Sequence, residues 1–169
     1  GRTTFPGGVR QMMPPFMTDG RNSAERLIAS RDAAGIAGAV GSNDGPAATA
    51  TFNNPHGVAI DRLGNLYIAN RYGHNIRKIT PAGVVSTFAG GGSPGFTDGT
   101  GTAAAFNEPW AVTCDSAGNV YVADTKNYSI RRITPAGNVT TLAGTGTFGV
   151  TNGPLLQAQF GFPTGIAVN

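Results

Sequence analysis

The segment Ile76–Gly83 reads IRKITPAG, and further along the chain the segment Ile130–Gly137 reads IRRITPAG. The agreement extends toward the N-terminus, where Gly64–Ala69 (GNLYIA) matches Gly118–Ala123 (GNVYVA) at the same offset. Similarity in register over separate segments is the signature of an internal structural repeat. The chain is therefore built from copies of one unit.

A third landmark recurs at the same spacing. The segments Phe52–Ala59, Phe106–Thr113 and Phe160–Ala167 align with one another, and each follows the last at the offset of the other matches. These landmarks predict two complete copies, at about 52–105 and about 106–159, within a repeat domain that covers residues 36–169.

Each copy is predicted to form four short strands. In the first copy these are Gly57–Ile60, Asn65–Ala69, Ile76–Thr80 and Val84–Ala89, separated by turns rich in Asp, Pro and Gly. Proline fixes φ and glycine allows positive φ, so such residues favour tight turns. Four strands in a repeat of roughly 40–55 residues are typical of one blade of a β-propeller. The fold class is therefore all-β, a partial propeller of two blades.

The ends of the chain extend beyond the two copies. Ile36–Val40 and Gly165–Asn169 are predicted as single strands of two flanking blades, and open blade edges would pair with further blades or with another subunit. Residues 1–35 fall outside the repeat and are predicted to form an extended N-terminal arm, with any helix confined to about residues 22–33.

Composition restricts the class of protein. Charged residues make up 12% of the chain and the formal net charge is +3, which gives no strong field for steering nucleic acid. The single cysteine, Cys114, excludes an intrachain disulfide framework. No apolar run is long enough to predict a transmembrane helix, and Gly1 is not followed by the layout of a signal peptide.

The repeat resembles the NHL-repeat family of β-propellers. The resemblance rests on Pro55–Asp61 (PHGVAID), Gly118–Asp124 (GNVYVAD), Ile130–Gly137 and the glycine-rich connection Gly95–Phe106 (GFTDGTGTAAAF). It implies a propeller that presents its loops to partners. The chain departs from the family pattern in one loop of each copy, at Asn70, Gly73, Tyr128 and Ser129.

The stretch Met12–Arg21 (MMPPFMTDGR) resembles the opening of small structural proteins from large DNA-virus particles. Large apolar residues in a proline-rich segment without a periodic partner face are suited to docking on another chain. We therefore predict a partner-binding role for residues of this segment: Arg10, Met12, Met13, Phe16, Met17 and Arg21. The resemblance implies a virus particle as the setting, with an extracellular or cell-surface assembly as the alternative.

No catalytic residue, metal ligand or cofactor is predicted. NHL-type lyases hold zinc with several histidines, but this chain has only His56 and His74, at non-equivalent positions. His56 is interpreted as a packing residue. Asp61 and Asp115 occupy the same turn of each copy and are interpreted as turn-forming, and Cys114 aligns with Ile60 as a buried apolar position.

The basic pairs Arg77-Lys78 and Arg131-Arg132 recur at equivalent positions, and a positive propeller face could bind RNA. Because only Tyr72 and Tyr128 offer aromatic rings beside them, the pairs are interpreted instead as the solvated side of a strand, and nucleic acid is not favoured as a partner. The residues that precede a glycine in the connections, namely Asp44, Asp98 and Asn152, are interpreted as turn formers.

Alternating apolar positions predict the core. These positions are equivalent in the two copies: Val58, Ile60, Leu66, Ile68, Ile76, Ile79, Val112, Cys114, Val120, Val122, Ile130 and Ile133. The loop between the second and third strands is predicted to bind a protein partner through Arg71, Tyr72, His74, Lys126 and Tyr128.

Three functions are compatible with the sequence. The first is a non-catalytic interaction module, anchored in a larger assembly by its N-terminal arm. The second is a lyase or hydrolase whose active site lies in blades absent from this chain, and the third is an RNA-binding propeller. Additional histidines or paired carboxylates at a central channel would favour an enzyme.

Overall fold

The structure, a computed structural model, describes residues 40–169. The predicted arm, the predicted helix at 22–33 and most of the predicted strand Ile36–Val40 lie outside this range. Of that strand, Val40 alone is described, and it forms an isolated parallel bridge to Phe52.

The described residues form two five-stranded antiparallel sheets, which we call the first and second blades. The strands of the first blade are β1 (Gly45–Pro46), β2 (Pro55–Ile60), β3 (Leu66–Asn70), β4 (Asn75–Ile79) and β5 (Val84–Ala89). Those of the second blade are β6 (Gly99–Thr100), β7 (Pro109–Cys114), β8 (Val120–Asp124), β9 (Ser129–Ile133) and β10 (Asn138–Ala143). The only helices within residues 40–169 are short 3-10 turns, at Arg71–Gly73, Gly101–Ala103 and Thr125–Asn127. The predicted all-β class is confirmed.

The four predicted strands of each copy are present, and each blade gains one strand that the sequence did not reveal. The sheet orders are β1-β5-β4-β3-β2 and β6-β10-β9-β8-β7. The extra strand comes from the connection before the blade, which pairs Gly45 with Val85 and Thr100 with Asn138. A strand as short as β1 or β6 cannot show alternation, so no sequence pattern announces it.

We call the three equivalent connections crossovers. The first crossover is residues 41–52, the second is 95–106 and the third is 149–160. The predicted flanking strand Gly165–Asn169 is not formed, because a strand requires a hydrogen-bonded neighbour and the described residues place none beside it.

The apolar core lies within the blades and in the seam between them. One cluster of buried side chains joins both blades: Tyr67, Ala69, Ile76, Ala89, Ala104, Phe106, Val112, Val120, Val122, Ile133 and Val139. A second cluster belongs to the first blade: Ala50, Phe52, Ile68, Ile79 and Val85. Burial of such side chains is the main stabilising term of the fold.

The predicted core positions are largely confirmed, with one error. Seven of the predicted side chains are buried: Ile68, Ile76, Ile79, Val112, Val120, Val122 and Ile133. Four are half-buried: Val58, Leu66, Cys114 and Ile130. Ile60 is 63% exposed, so its prediction was wrong. Its counterpart Cys114 packs against the core at the seam. Ile60 lies beside the cluster formed by Ala50, Phe52, Ile68, Ile79 and Val85 but is not part of it, so its side chain stays exposed.

The innermost strands of the two blades approach each other at Gly57. A Cβ atom placed on Gly57 would lie 2.7 Å from the Cα of Ala111, a separation that side chains essentially never show. Glycine is therefore required for the seam to close here. The close approach brings the start of β2 beside the start of β7.

Candidate functional site

The start of the inner strand (β2 or β7) lies at the same end of each blade as the loop that joins the next two strands (β3–β4 or β8–β9). In the first blade Pro55 pairs with Asn70, and Asn70 pairs with Asn75. The loop then turns through the 3-10 helix Arg71–Gly73 to His74, which has a left-handed φ of 50°. This arrangement places loop residues of the first blade against the entry of β7.

Arg71 connects the two blades at this end. Its Nε and Nη2 atoms both donate to Oε2 of Glu108, at 3.0 and 2.6 Å. The guanidinium carbon also lies 4.4 Å from the ring centroid of Trp110 and 4.5 Å from that of Tyr72. A planar guanidinium can form a salt bridge and stack on aromatic rings at once, which an ammonium group cannot do.

Two histidines complete the arrangement. The His56 ring packs against that of Trp110 with centroids 4.0 Å apart and an interplanar angle of 32°. Nδ1 of His74 accepts a hydrogen bond from the Glu108 backbone N–H at 3.2 Å. Burial lowers the pKa of His74 although Glu108 opposes the shift, so the neutral imidazole that this bond requires is favoured.

We call this group the seam cluster, defined as His56, Arg71, Tyr72, His74, Glu108 and Trp110. Arg71 and Glu108 retain about one fifth of their side-chain exposure, while Tyr72 is 45% exposed and His56 is also exposed. The cluster is thus a preorganised surface that offers aromatic faces and hydrogen-bonding groups. Such a surface can bind a ligand by stacking and by hydrogen bonds.

The corresponding loop of the second blade forms a separate, more apolar surface. The Lys126 ammonium lies 5.0 Å from the Phe162 ring centroid. Tyr128 meets Phe162 and Phe148 edge to face, at centroid distances of 5.2 and 5.7 Å. The predicted loop residues therefore divide into two groups, one in each loop. The predicted residues Arg10, Met12, Met13, Phe16, Met17 and Arg21 lie outside the described residues.

Glu108 and Trp110 were missed as site residues, and His56 was interpreted as packing only. The sequence did contain a signal for Glu108 and Trp110. The residues on the two sides of the proline differ between the two copies, whereas the proline itself is the same in both. Asn54 and His56 flank Pro55 just as Glu108 and Trp110 flank Pro109. Asn54 and Glu108 also share a left-handed φ near 50°.

Arg77 and Arg131 are both fully buried, so the interpretation of the basic pairs as the solvated side of a strand was wrong for these two residues. The Nη atoms of Arg131 donate to the Ala105 and Thr97 carbonyls at 3.0 and 2.9 Å, and to the carboxylates of Asp124 and Asp98, each at 2.8 Å. A buried guanidinium is tolerated when it is paired and hydrogen-bonded in this way.

Arg77 has the matching environment in the first blade. Its Nη atoms donate to the Thr51 and Asn43 carbonyls at 3.2 and 2.9 Å and to Asp44 at 2.7 Å. The interpretation of Asp44 as a simple turn former therefore missed its pairing with an arginine that is distant in sequence. Each arginine therefore holds the crossover that precedes its own blade in place through hydrogen bonds and an ion pair.

The aspartates of the first turns are structural, as predicted. Asp115 accepts hydrogen bonds from the Ala117 and Asn119 backbone N–H groups and from the side chains of Asn119 and Tyr121. Asp61 repeats this pattern in the first blade. Burial raises the pKa of Cys114 to about 11, which keeps its thiol protonated at neutral pH.

The described residues contain neither a cluster of potential metal ligands nor a membrane-spanning helix. Within residues 40–169 no group of three or more His, Cys, Asp or Glu side chains is placed to hold a metal ion. The same residues contain no helix that is long and apolar enough to span a membrane.

Two stacked antiparallel blades, each fastened to its crossover by a buried arginine, define a segment of a β-propeller. The NHL repeat profile matches residues 52–79 and 106–133, which contain β2–β4 of the first blade and β7–β9 of the second. The chain belongs to the NHL-repeat family.

Curated relatives are much longer than this chain. SUPPRESSOR OF QUENCHING 1 of Arabidopsis thaliana is 38% identical over 94 residues, covering 55% of this chain and 9% of that protein. Human NHL repeat-containing protein 2 is 32% identical over 131 residues, covering 69% of this chain and 18% of that protein. The chain therefore corresponds to less than one fifth of the length of either relative.

A solved structure shows the same architecture. An auxiliary nutrient binding protein from Bacteroides ovatus superposes with a TM-score of 0.60 at 29% identity, covering 70% of this chain and 33% of that protein.

Proposed function

We propose that the blades act as a non-catalytic binding module and hold a protein partner on the seam cluster. The observation that carries the proposal is the fixed position of Arg71 between Glu108 and the rings of Tyr72 and Trp110. The residue types most often responsible for affinity at protein interfaces are Trp, Tyr and Arg. In the seam cluster one residue of each type, Trp110, Tyr72 and Arg71, contributes to a single surface.

Preorganisation supports the same proposal. Binding is weakened by the entropy lost when flexible side chains become ordered. The salt bridge and the stacked rings already hold the Arg71 side chain, so little is lost on docking. Tyr72 projects beside it with nearly half of its surface free. A partner with an acidic or aromatic group could therefore dock at modest entropic cost.

The structure bears differently on the RNA-binding hypothesis and on the enzyme hypothesis. Arg77 and Arg131 cannot contact phosphates because they are fully buried, which removes half of the repeated basic pairs from an RNA-binding face. A lyase or hydrolase with its active site in other blades stays a prediction. The virus-particle setting depends on the N-terminal arm and is not part of the proposal.

The test compares matched surface variants of the full chain. Tyr72→Ala and His56→Ala remove exposed rings of the cluster, and Leu63→Ala removes an exposed side chain from the turn at the opposite end of the blade. Proteins retained by immobilised wild type from the native source are identified, and their binding to each variant is then measured by interferometry.

The proposal predicts that the dissociation constant of a genuine partner rises about tenfold or more for Tyr72→Ala, which corresponds to about 1.4 kcal/mol. Leu63→Ala should leave it unchanged. A partner whose binding is lost with Leu63→Ala but retained by both cluster variants would contradict the proposal.

A further inference from the structure

The two buried arginines repeat one arrangement with a second component, an aromatic ring. The guanidinium carbon of Arg131 lies 5.2 Å from the ring centroid of Phe106, and that of Arg77 lies 5.4 Å from that of Phe52. In each blade the arginine thus meets two crossover carbonyls, a crossover aspartate and the phenylalanine that ends the crossover. Since Phe52 and Phe106 are equivalent positions of the two copies, the arrangement belongs to the repeat.

The third crossover has the same backbone geometry. The Gln159 N–H donates to the Thr151 carbonyl at 2.9 Å, and at the equivalent place in the second crossover the Ala105 N–H donates to the Thr97 carbonyl at 3.0 Å. Phe160 ends the third crossover and forms a parallel bridge to Phe148, as Phe52 does to Val40. The acceptors and the ring that surround an arginine in the other crossovers are therefore present here.

No arginine of the described residues occupies this third position. A cavity of about 480 Å³ opens there instead, lined among others by Val150, Thr151, Asn152, Gln159 and Phe160. Within residues 40–169 no hydrogen bond to the Gln159 carbonyl is found. Apolar side chains at this end of the second blade are exposed: Phe148, Val150, Leu155, Leu156 and Phe162.

We propose that this cavity is a binding site for an arginine side chain, presented by an extended strand of a further repeat of the same kind. In the occupied crossovers the two acceptors are carbonyls bonded by the two Nη atoms of one residue. This spacing fits the planar fork of a guanidinium rather than the single nitrogen of lysine. A set of carbonyl oxygens beside a phenylalanine face favours a cation and does not suit an anion.

Asn152 sets the strength of the site. The equivalent residues in the occupied crossovers are Asp44 and Asp98, and each forms an ion pair with its arginine at 2.7 or 2.8 Å. An amide at this position can accept a hydrogen bond but carries no charge. Charge-assisted hydrogen bonds are roughly twice as strong as neutral ones. Replacing Asn152 by aspartate should therefore strengthen the binding of arginine at this position.

The experiment uses the full chain, isotopically labelled, and a hexapeptide with the sequence of Asn75–Thr80 (NIRKIT), which carries one arginine. Matched peptides carry citrulline, the neutral isostere, or lysine at the arginine position. Binding is followed by the amide resonances of Thr151 and Gln159. We expect saturable shifts with a dissociation constant of about 1 mM, at least fivefold weaker binding of either control peptide, and at least threefold tighter binding by Asn152→Asp.

Three outcomes would overturn the proposal. The first is equal binding of the arginine and citrulline peptides, and the second is no binding at about 5 mM peptide by either wild type or Asn152→Asp. The third is self-association, measured by sedimentation, that shifts the same resonances without added peptide, since the occupant would then be a second copy of this chain. The experiment does not involve the seam cluster, so its failure is distinguishable from failure of the proposed function.

Discussion

Arg131 and Asp124 form an ion pair in which neither side chain is exposed, with Nη1 and Oδ2 2.8 Å apart. The first blade has Asn70 at the position of Asp124, yet its Arg77 is buried equally well. Asn70 instead bonds Ser42, Asn75 and the Asn53 N–H. Burial of the arginine therefore depends on the crossover carbonyls and the crossover aspartate, Asp44 or Asp98, which both blades share, rather than on the Asp124 carboxylate.

Removing Arg131 should strongly destabilise the fold. Arg131→Met leaves Asp124 buried without its cation, and breaking a buried pair in this way typically costs about 3–5 kcal/mol. Arg132→Met is the matched control on the same strand and should cost less than about 1 kcal/mol, because its side chain is only half-buried. Urea unfolding of both variants measures the difference. Equal losses would show that the buried pair does not hold the blade.

Asp124 should make stability depend on pH. Burial raises its pKa to about 6 from an ordinary 3.8, against hydrogen bonds from the Asn107 N–H, Asn127 and Arg131. A carboxyl with a raised pKa binds its proton more tightly in the folded state, so the contribution of Asp124 to stability is greatest below pH 3.8 and falls as the pH rises to about 6. Between these limits the difference in unfolding free energy between wild type and Asp124→Asn should shift by roughly 1–3 kcal/mol in favour of the variant.

Asn70→Asp supplies the matched variant for this titration. It places a carboxylate at the equivalent buried position of the first blade and should add a pH dependence of the same sign. Unfolding free energies of the three proteins are compared in steps from about pH 3.5 to about pH 7. Parallel curves for wild type and Asp124→Asn would contradict the raised pKa.

The core prediction is tested by two isoleucines with opposite burial. Ile133 is fully buried and Ile60 is 63% exposed. Ile133→Ala should lower the free energy of unfolding by about 2–5 kcal/mol through lost burial and the cavity left behind. Ile60→Ala should change it by no more than about 0.5 kcal/mol. A larger effect at Ile60 than at Ile133 would show that the Ile60 side chain is packed in solution.

The contact between the blades is tested at Gly57. A methyl group at this position would collide with the backbone of Ala111, so Gly57→Ala should destabilise the chain by about 1–3 kcal/mol. Gly165→Ala is the control, because a Cβ there meets nothing within 4 Å. Thermal unfolding of the two variants distinguishes them. An unchanged midpoint for Gly57→Ala would mean that the inner strands are farther apart than described.

The repeat made the blades predictable. Agreement between IRKITPAG and IRRITPAG fixes the third strand and its turn in both copies, and the observed fourth strand Val84–Ala89 coincides with the predicted one. The burial of Arg77 and Arg131 was not predictable in the same way. In an alternating strand a charged residue normally faces solvent, and the carbonyls that compensate Arg131 come from residues 26 and 34 positions away.

Half of the residues of the seam cluster were predicted from the sequence. Arg71, Tyr72 and His74 belong to a single loop, so a pattern within that loop reveals them. Glu108 and Trp110 belong to the next blade, and Glu108 is distant in sequence from the arginine that it binds. Their contribution emerges only when the seam closes and brings the start of β7 beside the loop.

Site-specific photocrosslinking in the native source is the direct measurement of whether a partner docks on the seam cluster. A benzophenone amino acid is placed at Tyr72 in one variant and at Leu63 in another, since Leu63 is more exposed and lies at the opposite end of the blade. We expect a discrete crosslinked partner from position 72 and none from position 63. The same adduct from position 63, with none from position 72, would contradict this expectation.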